Sequence, residues 1–270
     1  MIAYEDMWDM AIDRESARRA GDGMRAIPHC VGNAVYGVLG AAFKLAFRYR
    51  VEGLEHLAAF RDGRGCVVAG NHVSYLDPVF LWLAARPDRW IRFMARDNMF
   101  ANAAGLAGQV ISRVGAFPVK RSSADRGAIK RAAAMLKRGE TVGIFPEGTR
   151  RGRGTAKPDL HAGVAFIARM GKAPIVPSSV RNVADIKPKG SKTVHFPKIT
   201  VVFGAPVFLE DFAFLPKEDR LDAASWYVMR ECYALSRGVE REQVDMRELF
   251  PDAKDFSVAF SGRDMSRKEA

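Results

Sequence analysis

The sequence predicts an α/β protein: a central, mostly parallel sheet covered by helices on both faces, preceded by an apolar helical N-terminal segment. Two patterns and one bulk property predict it. Short apolar runs alternate with longer helical stretches, the rhythm of strands joined by crossover helices. The runs are apolar nearly throughout, as strands buried on both faces are. Of 270 residues, 48% are hydrophobic and 27% charged, a globular composition with length enough to bury a substantial core.

Residues 8–22 read as a helix of mixed charge. Residues 27–47 are almost all apolar or small, broken by His29, Asn33 and Lys44 and flanked by Arg25, Arg48 and Arg50. That length stands at the threshold for crossing a bilayer, but the glycines and three polar residues weaken a span. The preferred reading is a membrane-facing helix that lies on or dips into one leaflet, anchored by snorkelling basic residues. A buried core helix and a true span are the alternatives.

Strands are expected at 48–51, 66–69, 91–95, 116–119, 141–145, 174–180 and 199–203, and helices at 78–85, 98–113, 124–138, 161–170 and 220–235. The chain therefore divides into an N-terminal helical extension (1–48), one α/β domain (49–238) and a charged C-terminal stretch (239–270) whose role the sequence does not disclose.

A formal net charge of +11 favours anionic partners: phosphorylated metabolites, acidic headgroups, an acidic carrier protein or nucleic acid. Nucleic acid fits poorly, because no recognition fold or interleaved aromatic platform accompanies the charge. Cys30, Cys66 and Cys232 are odd in number and form no CxxC, which argues against a disulfide framework or zinc site and for a reducing cytosol. The N-terminus is acidic and no small-residue cleavage site follows, so no cleavable signal is expected. The expected location is the cytoplasmic face of the cell membrane, peripheral or monotopic.

Asn71-His72-Val73-Ser74-Tyr75-Leu76-Asp77-Pro78 follows a buried strand and opens a helix. Ligands of open α/β sheets gather at the carboxyl ends of strands, where His72 falls. A turn at Ser74 can carry Asp77 back to the imidazole, fixing its tautomer while His72 takes a proton from a substrate hydroxyl. The structural alternative is a capping box of Ser74 and Asp77, or Asp77 as N-cap with proline at the first helical position. It accounts for Ser74, Asp77 and Pro78 but not for His72.

Pro146-Glu147-Gly148-Thr149-Arg150 stands at the end of the expected strand 141–145. Proline stops the ladder, glycine permits close approach of backbone to ligand, and Arg150 offers a planar fork suited to phosphate oxygens. Arg151, Arg153 and Lys157 extend the positive field. Taken alone, the segment also reads as a turn followed by a solvated basic run.

Together, the Asn-His-x4-Asp group and the Phe-Pro-Glu-Gly-Thr-Arg group, roughly seventy residues apart, resemble the glycerolipid acyltransferase family, of which 1-acylglycerol-3-phosphate acyltransferases are the best-known type. The segments 115–121 and 176–180 resemble two lesser blocks of that family. The resemblance implies that His72 is a general base oriented by Asp77. It implies that Arg121, Glu147, Gly148 and Arg150 hold the glycerol phosphate, with Asn71 and Thr149 in the same substrate-binding set, and that Pro177 lines the pocket near the acyl donor. The donor would be acyl-CoA or an acyl-carrier protein, with no permanently bound cofactor and no metal. The acceptor would be 1-acylglycerol 3-phosphate, giving phosphatidic acid in phospholipid biosynthesis. A thioester needs no acyl-enzyme, so Ser74 is expected to cap and not to attack.

Three positions depart from the family pattern: Lys120, where many members carry aspartate or arginine; His161, where many carry lysine; and the serines after Pro177, usually aliphatic. They bear on which acceptor is used. Glycerol 3-phosphate, another lysophospholipid or an amino-lipid would suit the same chemistry, and a non-catalytic lipid-binding protein would suit the same fold. A metal set of His72, Asp77 and Glu147 is disfavoured by the want of a second clustered histidine. Between Lys120 and Lys157, eleven basic residues stand against three acids. Arg126, Lys130, Arg131, Lys137 and Arg138 are expected to form a solvated face of one helix, open to anionic lipid or an acidic carrier protein.

Overall fold

Residue Val68 shows why the strands read as unbroken apolar runs. It points to one face of the sheet with Cys66, while Val67 and Ala69 point to the other, and all four are buried. The computed structural model describes residues 3–21, 23–86, 88–101, 105–120, 125–151, 159–160, 162–263 and 265. Among them are seven strands: β1 Arg50–Glu52, β2 Cys66–Gly70, β3 Ile91–Arg96, β4 Phe117–Val119, β5 Thr141–Ile144, β6 Ile175–Arg181 and β7 Thr200–Phe203. They form one sheet in the order β1-β7-β6-β2-β5-β3-β4. The strands from β6 through β4 run parallel; β7 is antiparallel to β6, and β1 follows β7. The sheet is mostly parallel, with a reversed pair at one edge.

Ten α-helices accompany it among the described residues: α1 Arg14–Ala20, α2 His29–Phe47, α3 Leu54–Ala58, α4 Asp77–Ala85, α5 Asn98–Ala101, α6 Leu106–Arg113, α7 Arg126–Lys137, α8 Gly163–Gly171, α9 Arg220–Arg237 and α10 Met246–Leu249. Apolar residues of α7, α8 and α9 fill one face of the sheet, and those of α4 with one side of α2 fill the other. The expected helix at 98–113 is interrupted, because Gly105 stands at φ +83° and the helix restarts there as α6. The expected helix at 8–22 resolves into a 3-10 turn, Glu5–Trp8, and the short α1, whose cap Asp13 accepts from Ser16 N at 2.7 Å.

Helix α2 is not a core helix: of its most apolar window only 11% is buried. Tyr36, Phe43 and Phe47 pack on Trp82 and Phe80 of α4, with ring centroids 5.1 to 6.1 Å apart. The opposite side is open, with Val38 70% and Leu45 84% exposed. Lys44 is exposed, its ammonium donating to Tyr49 O at 2.7 Å.

Described residues towards both ends of the sequence enter the core. Met7, Met10 and Ile12 are buried, held by a charged knot in which the Glu140 carboxylate takes Arg92, Arg138 and the Ile12 N–H. The solvated face expected of α7 is therefore smaller. Arg138 is buried in this knot and Arg131 pairs with Asp9, leaving Arg126, Lys130 and Lys137 exposed. At the other end Val244, Leu249, Phe250, Phe256 and Phe260 bury against the cluster that contains α9. The C-terminal stretch is thus a wrap around α9.

Candidate active site

Strands β2 and β5 are parallel neighbours, with Cys66 beside Thr141 and Ala69 beside Ile144. The loops that leave their carboxyl ends, 71–76 and 145–151, therefore emerge side by side on one edge of the sheet.

In the first loop, His72 Nδ1 lies 2.8 Å from Asp77 Oδ2. The same oxygen accepts the Val73 and Ser74 N–H groups, each at 2.8 Å. Three donors on one buried oxygen fix the carboxylate, and the carboxylate fixes the ring. Because a carboxylate only accepts, the bond places the proton on Nδ1 and leaves Nε2 as an acceptor. No described residue bonds Nε2, and the side chain is 17% exposed. The capping box forms only in half: Asp77 reaches back to Ser74 N, but Ser74 Oγ accepts from Leu76 N at 3.3 Å instead of from Asp77 N. Ser74 is thereby committed to a local turn.

In the second loop, Pro146 and Glu147 form a turn closed by Gly148 N to Phe145 O at 3.0 Å. Gly148 follows at φ +59°, exposed and with open space where a Cβ would stand. The Phe145 ring stacks on the His72 imidazole. The Arg150 guanidinium lies 3.4 Å from the centre of the Tyr75 ring, a residue of the first loop.

Glu147 is placed differently from the expected phosphate contact. It is 3% exposed. Its Oε1 accepts from Tyr233 OH at 2.8 Å and from His72 N at 3.3 Å, and its Oε2 accepts from Arg151 Nε at 3.2 Å. Burial pushes its pKa up, opposed by the Tyr233 hydroxyl and the Arg151 charge. Arg151, expected to widen the positive field, turns inward: its backbone N–H donates to His72 O at 2.8 Å and its Nη2 to Leu249 O at 3.0 Å.

Asn71 lies one layer below, buried, with Oδ1 accepting from Ser179 Oγ at 2.9 Å and Nδ2 donating to Ser236 Oγ at 3.4 Å. This ties β2 to β6 and α9. The polar residues after Pro177 are explained by it: Ser178 Oγ donates to Ala69 O at 2.9 Å, and Ser179 serves Asn71. Pro177 itself is buried in β6 beside Ala69. Thr149 is half-buried, its N–H on Glu147 O. Arg121, Arg153, Lys157 and His161 lie outside the described residues. His72, Asp77 and Glu147 do not make a metal set; among the described residues no group of three or more potential ligands is so arranged. The contributions of Phe145, Tyr75 and Tyr233 escaped sequence reasoning. The first two sit within the motifs, but nothing in the sequence joins Tyr233 to them.

A mostly parallel α/β sheet thus carries, on one edge, a carboxylate-held imidazole from one loop and a guanidinium from the neighbouring one. The sequence profile described as Acyltransferase matches residues 48–181. The chain is 35% identical over 159 residues to a 1-acyl-sn-glycerol-3-phosphate acyltransferase of Bacillus subtilis, covering 59% of this chain and 75% of that protein. It is 30% identical over 146 residues to the enzyme of that name from Streptococcus pneumoniae, covering 54% of this chain and 51% of that one. The crystal structure of the 1-acyl-sn-glycerophosphate acyltransferase from Thermotoga maritima superposes with a TM-score of 0.55 at 23% identity, over 75% of this chain and 79% of the other, a likeness of fold. The chain belongs to the acyltransferase family.

Proposed function

We propose that this protein transfers a fatty-acyl group from a thioester to the free hydroxyl of 1-acylglycerol 3-phosphate, giving phosphatidic acid. The observation that carries the reading is the shared edge: His72 with Asp77 from β2, and Arg150 from β5, are joined through the Phe145–His72 and Arg150–Tyr75 stacks. In the reaction His72 Nε2 takes the hydroxyl proton as the acceptor oxygen attacks the thioester carbonyl. Asp77 supports the charge that grows on the ring. Collapse of the tetrahedral adduct breaks the C–S bond, and the thiolate leaves with the proton held by the imidazolium. Arg150 holds the acceptor phosphate. Glu147 and Asn71 position the two loops from beneath. Acyl-CoA and acyl-carrier protein are the two donors of suitable chemistry.

The open side of α2, apolar and without an acid from His29 to Phe47, supports association with a membrane in which that helix lies in one leaflet while its other side stays on α4. The test is an acyl-transfer assay that pairs each donor with 1-acylglycerol 3-phosphate, glycerol 3-phosphate and uncharged lysolipids. Labelled phosphatidic acid from the first acceptor is expected. Lysolipid binding without thioester consumption would overturn the reading in favour of a binding protein.

A further inference from the structure

The imidazole of His72 is held from its edge by Asp77, but its place on the sheet edge is set by the peptide groups on either side. Both lead to α9. The His72 N–H donates to Glu147 Oε1 at 3.3 Å, and the His72 carbonyl accepts from Arg151 N at 2.8 Å. Glu147 and Arg151 meet again at the hydroxyl of Tyr233, which donates to Glu147 Oε1 at 2.8 Å and accepts from Arg151 Nε at 2.6 Å. A phenol has one proton to give, and here its acceptor and donor capacities are both spent on the two residues that clamp His72.

We infer that Tyr233 is a positioning residue for acyl transfer, holding Glu147 and Arg151 so that the main chain of His72 is fixed under its substrate. The inference rests on the acyltransferase reading above. Tyr233 lies on α9, outside the matched segment 48–181, so it is not among the residues the family resemblance assigns. Simple packing does not account for it. The ring is 5% exposed and meets Phe250 edge-on at 6.2 Å, contacts that phenylalanine would make as well. The ring also lies under the Arg151 guanidinium, 5.4 Å from its centroid, but only the hydroxyl hydrogen-bonds the charged pair, and a buried carboxylate with its half-buried guanidinium needs such a partner.

The experiment is Tyr233→Phe in the full chain, assayed with thioester and 1-acylglycerol 3-phosphate across pH, below the melting temperatures of both proteins. Loss of alignment should lower kcat roughly tenfold with the acceptor KM within about twofold. In a Glu147→Gln background the same substitution should cost little more, since the two share one network. An unchanged kcat, or an equal loss in both backgrounds, overturns the inference. The nitrogen-15 signals of the His72 imidazole, read without substrate, separate this from failure of the functional reading. A wild type inert toward thioesters whose His72 signal still moves on Tyr233→Phe sinks the acyltransferase and leaves the positioning. An unmoved signal sinks the positioning.

Discussion

The ring of Phe145 stacks on the imidazole of His72, with centroids 4.2 Å apart and planes 20° from parallel. Phe145 is stacked in turn on Phe93, at 5.6 Å and 10°. An aromatic wall from the second loop thus sets the plane of the histidine in the first, while Asp77 sets its rotation within that plane. Two sequence motifs meet in one arrangement, in which Nε2 is the ring nitrogen that no described residue bonds.

Removing the ring should remove the chemistry but not the binding. For His72→Ala we expect kcat to fall by roughly 10²–10⁴, the span for loss of a general base, with the acceptor KM little changed. Asp77→Asn keeps the shape but withdraws the charge that supports the imidazolium, and should also fall mainly in kcat. Steady-state kinetics on purified variants decides it; near-normal turnover by His72→Ala would remove the base from the mechanism.

Arg150 carries a different expectation. Its guanidinium rests on Tyr75, so Arg150→Ala should chiefly raise KM for a phosphorylated acceptor and leave an uncharged acceptor unaffected. Tyr75→Ala removes only the platform. A cation–π contact of about 0.5–1 kcal/mol corresponds to a rise in KM of roughly two- to fivefold, which Tyr75→Phe should not show. Equal effects on charged and uncharged acceptors would detach Arg150 from the phosphate.

How far the sequence reaches is visible in these same residues. The apolar runs at Cys66 and Thr141 announced buried parallel strands, and the His72–Asp77 spacing announced the pair at 2.8 Å, because both follow from local pattern. The inward turn of Glu147 and Arg151 was not legible. Their partners, Tyr233 and Leu249, are 86 and 98 residues away, and burial of a charge depends on such distant groups. Helix α2 shows the same limit. Its composition suits a core, a span or a surface, and its open outer side excludes only the first.

The buried carboxyl of Glu147 also makes stability depend on pH. Burial raises its pKa above the ordinary 4.5, so the native state holds that proton more tightly than the unfolded chain does. The contribution is complete below the ordinary carboxylate value and is lost as pH rises through the raised native one. In Glu147→Gln this component is absent. Urea unfolding of both proteins from about pH 4 to about pH 8 should show the difference moving in favour of the variant as pH rises. A difference that is flat, or moves the other way, contradicts the direction of the shift.

Glu140 should behave in the opposite manner, as a residue of stability and not of turnover. Its carboxylate neutralises Arg92, which is fully buried and also donates to Met7 O and Met10 O at 3.1 and 2.8 Å. Glu140→Ala would leave two buried guanidinium groups without their anion, at a cost of about 3–5 kcal/mol. The urea midpoint should drop accordingly while kcat, measured on the folded fraction, stays at the wild-type value. A loss of kcat at unchanged stability would place Glu140 in the site instead.

The last expectation concerns the membrane. If α2 lies in one leaflet, the side chains that enter lipid are those turned away from α4, above all Val38 and Leu45. Burying an aliphatic side chain of this size is worth roughly 1.5–3 kcal/mol, so Val38→Glu or Leu45→Glu should each weaken binding to anionic liposomes by roughly tenfold or more. The exposed Arg48 and Arg50 at the end of the helix add attraction to acidic headgroups, which salt should weaken. Phe43→Glu, on the packed side, serves as contrast: it should unfold the contact with Phe80 and lower the melting temperature. Cosedimentation at low and high salt, with melting curves alongside, reads all of these. Liposome binding that survives both outer substitutions would show that this face does not meet the lipid.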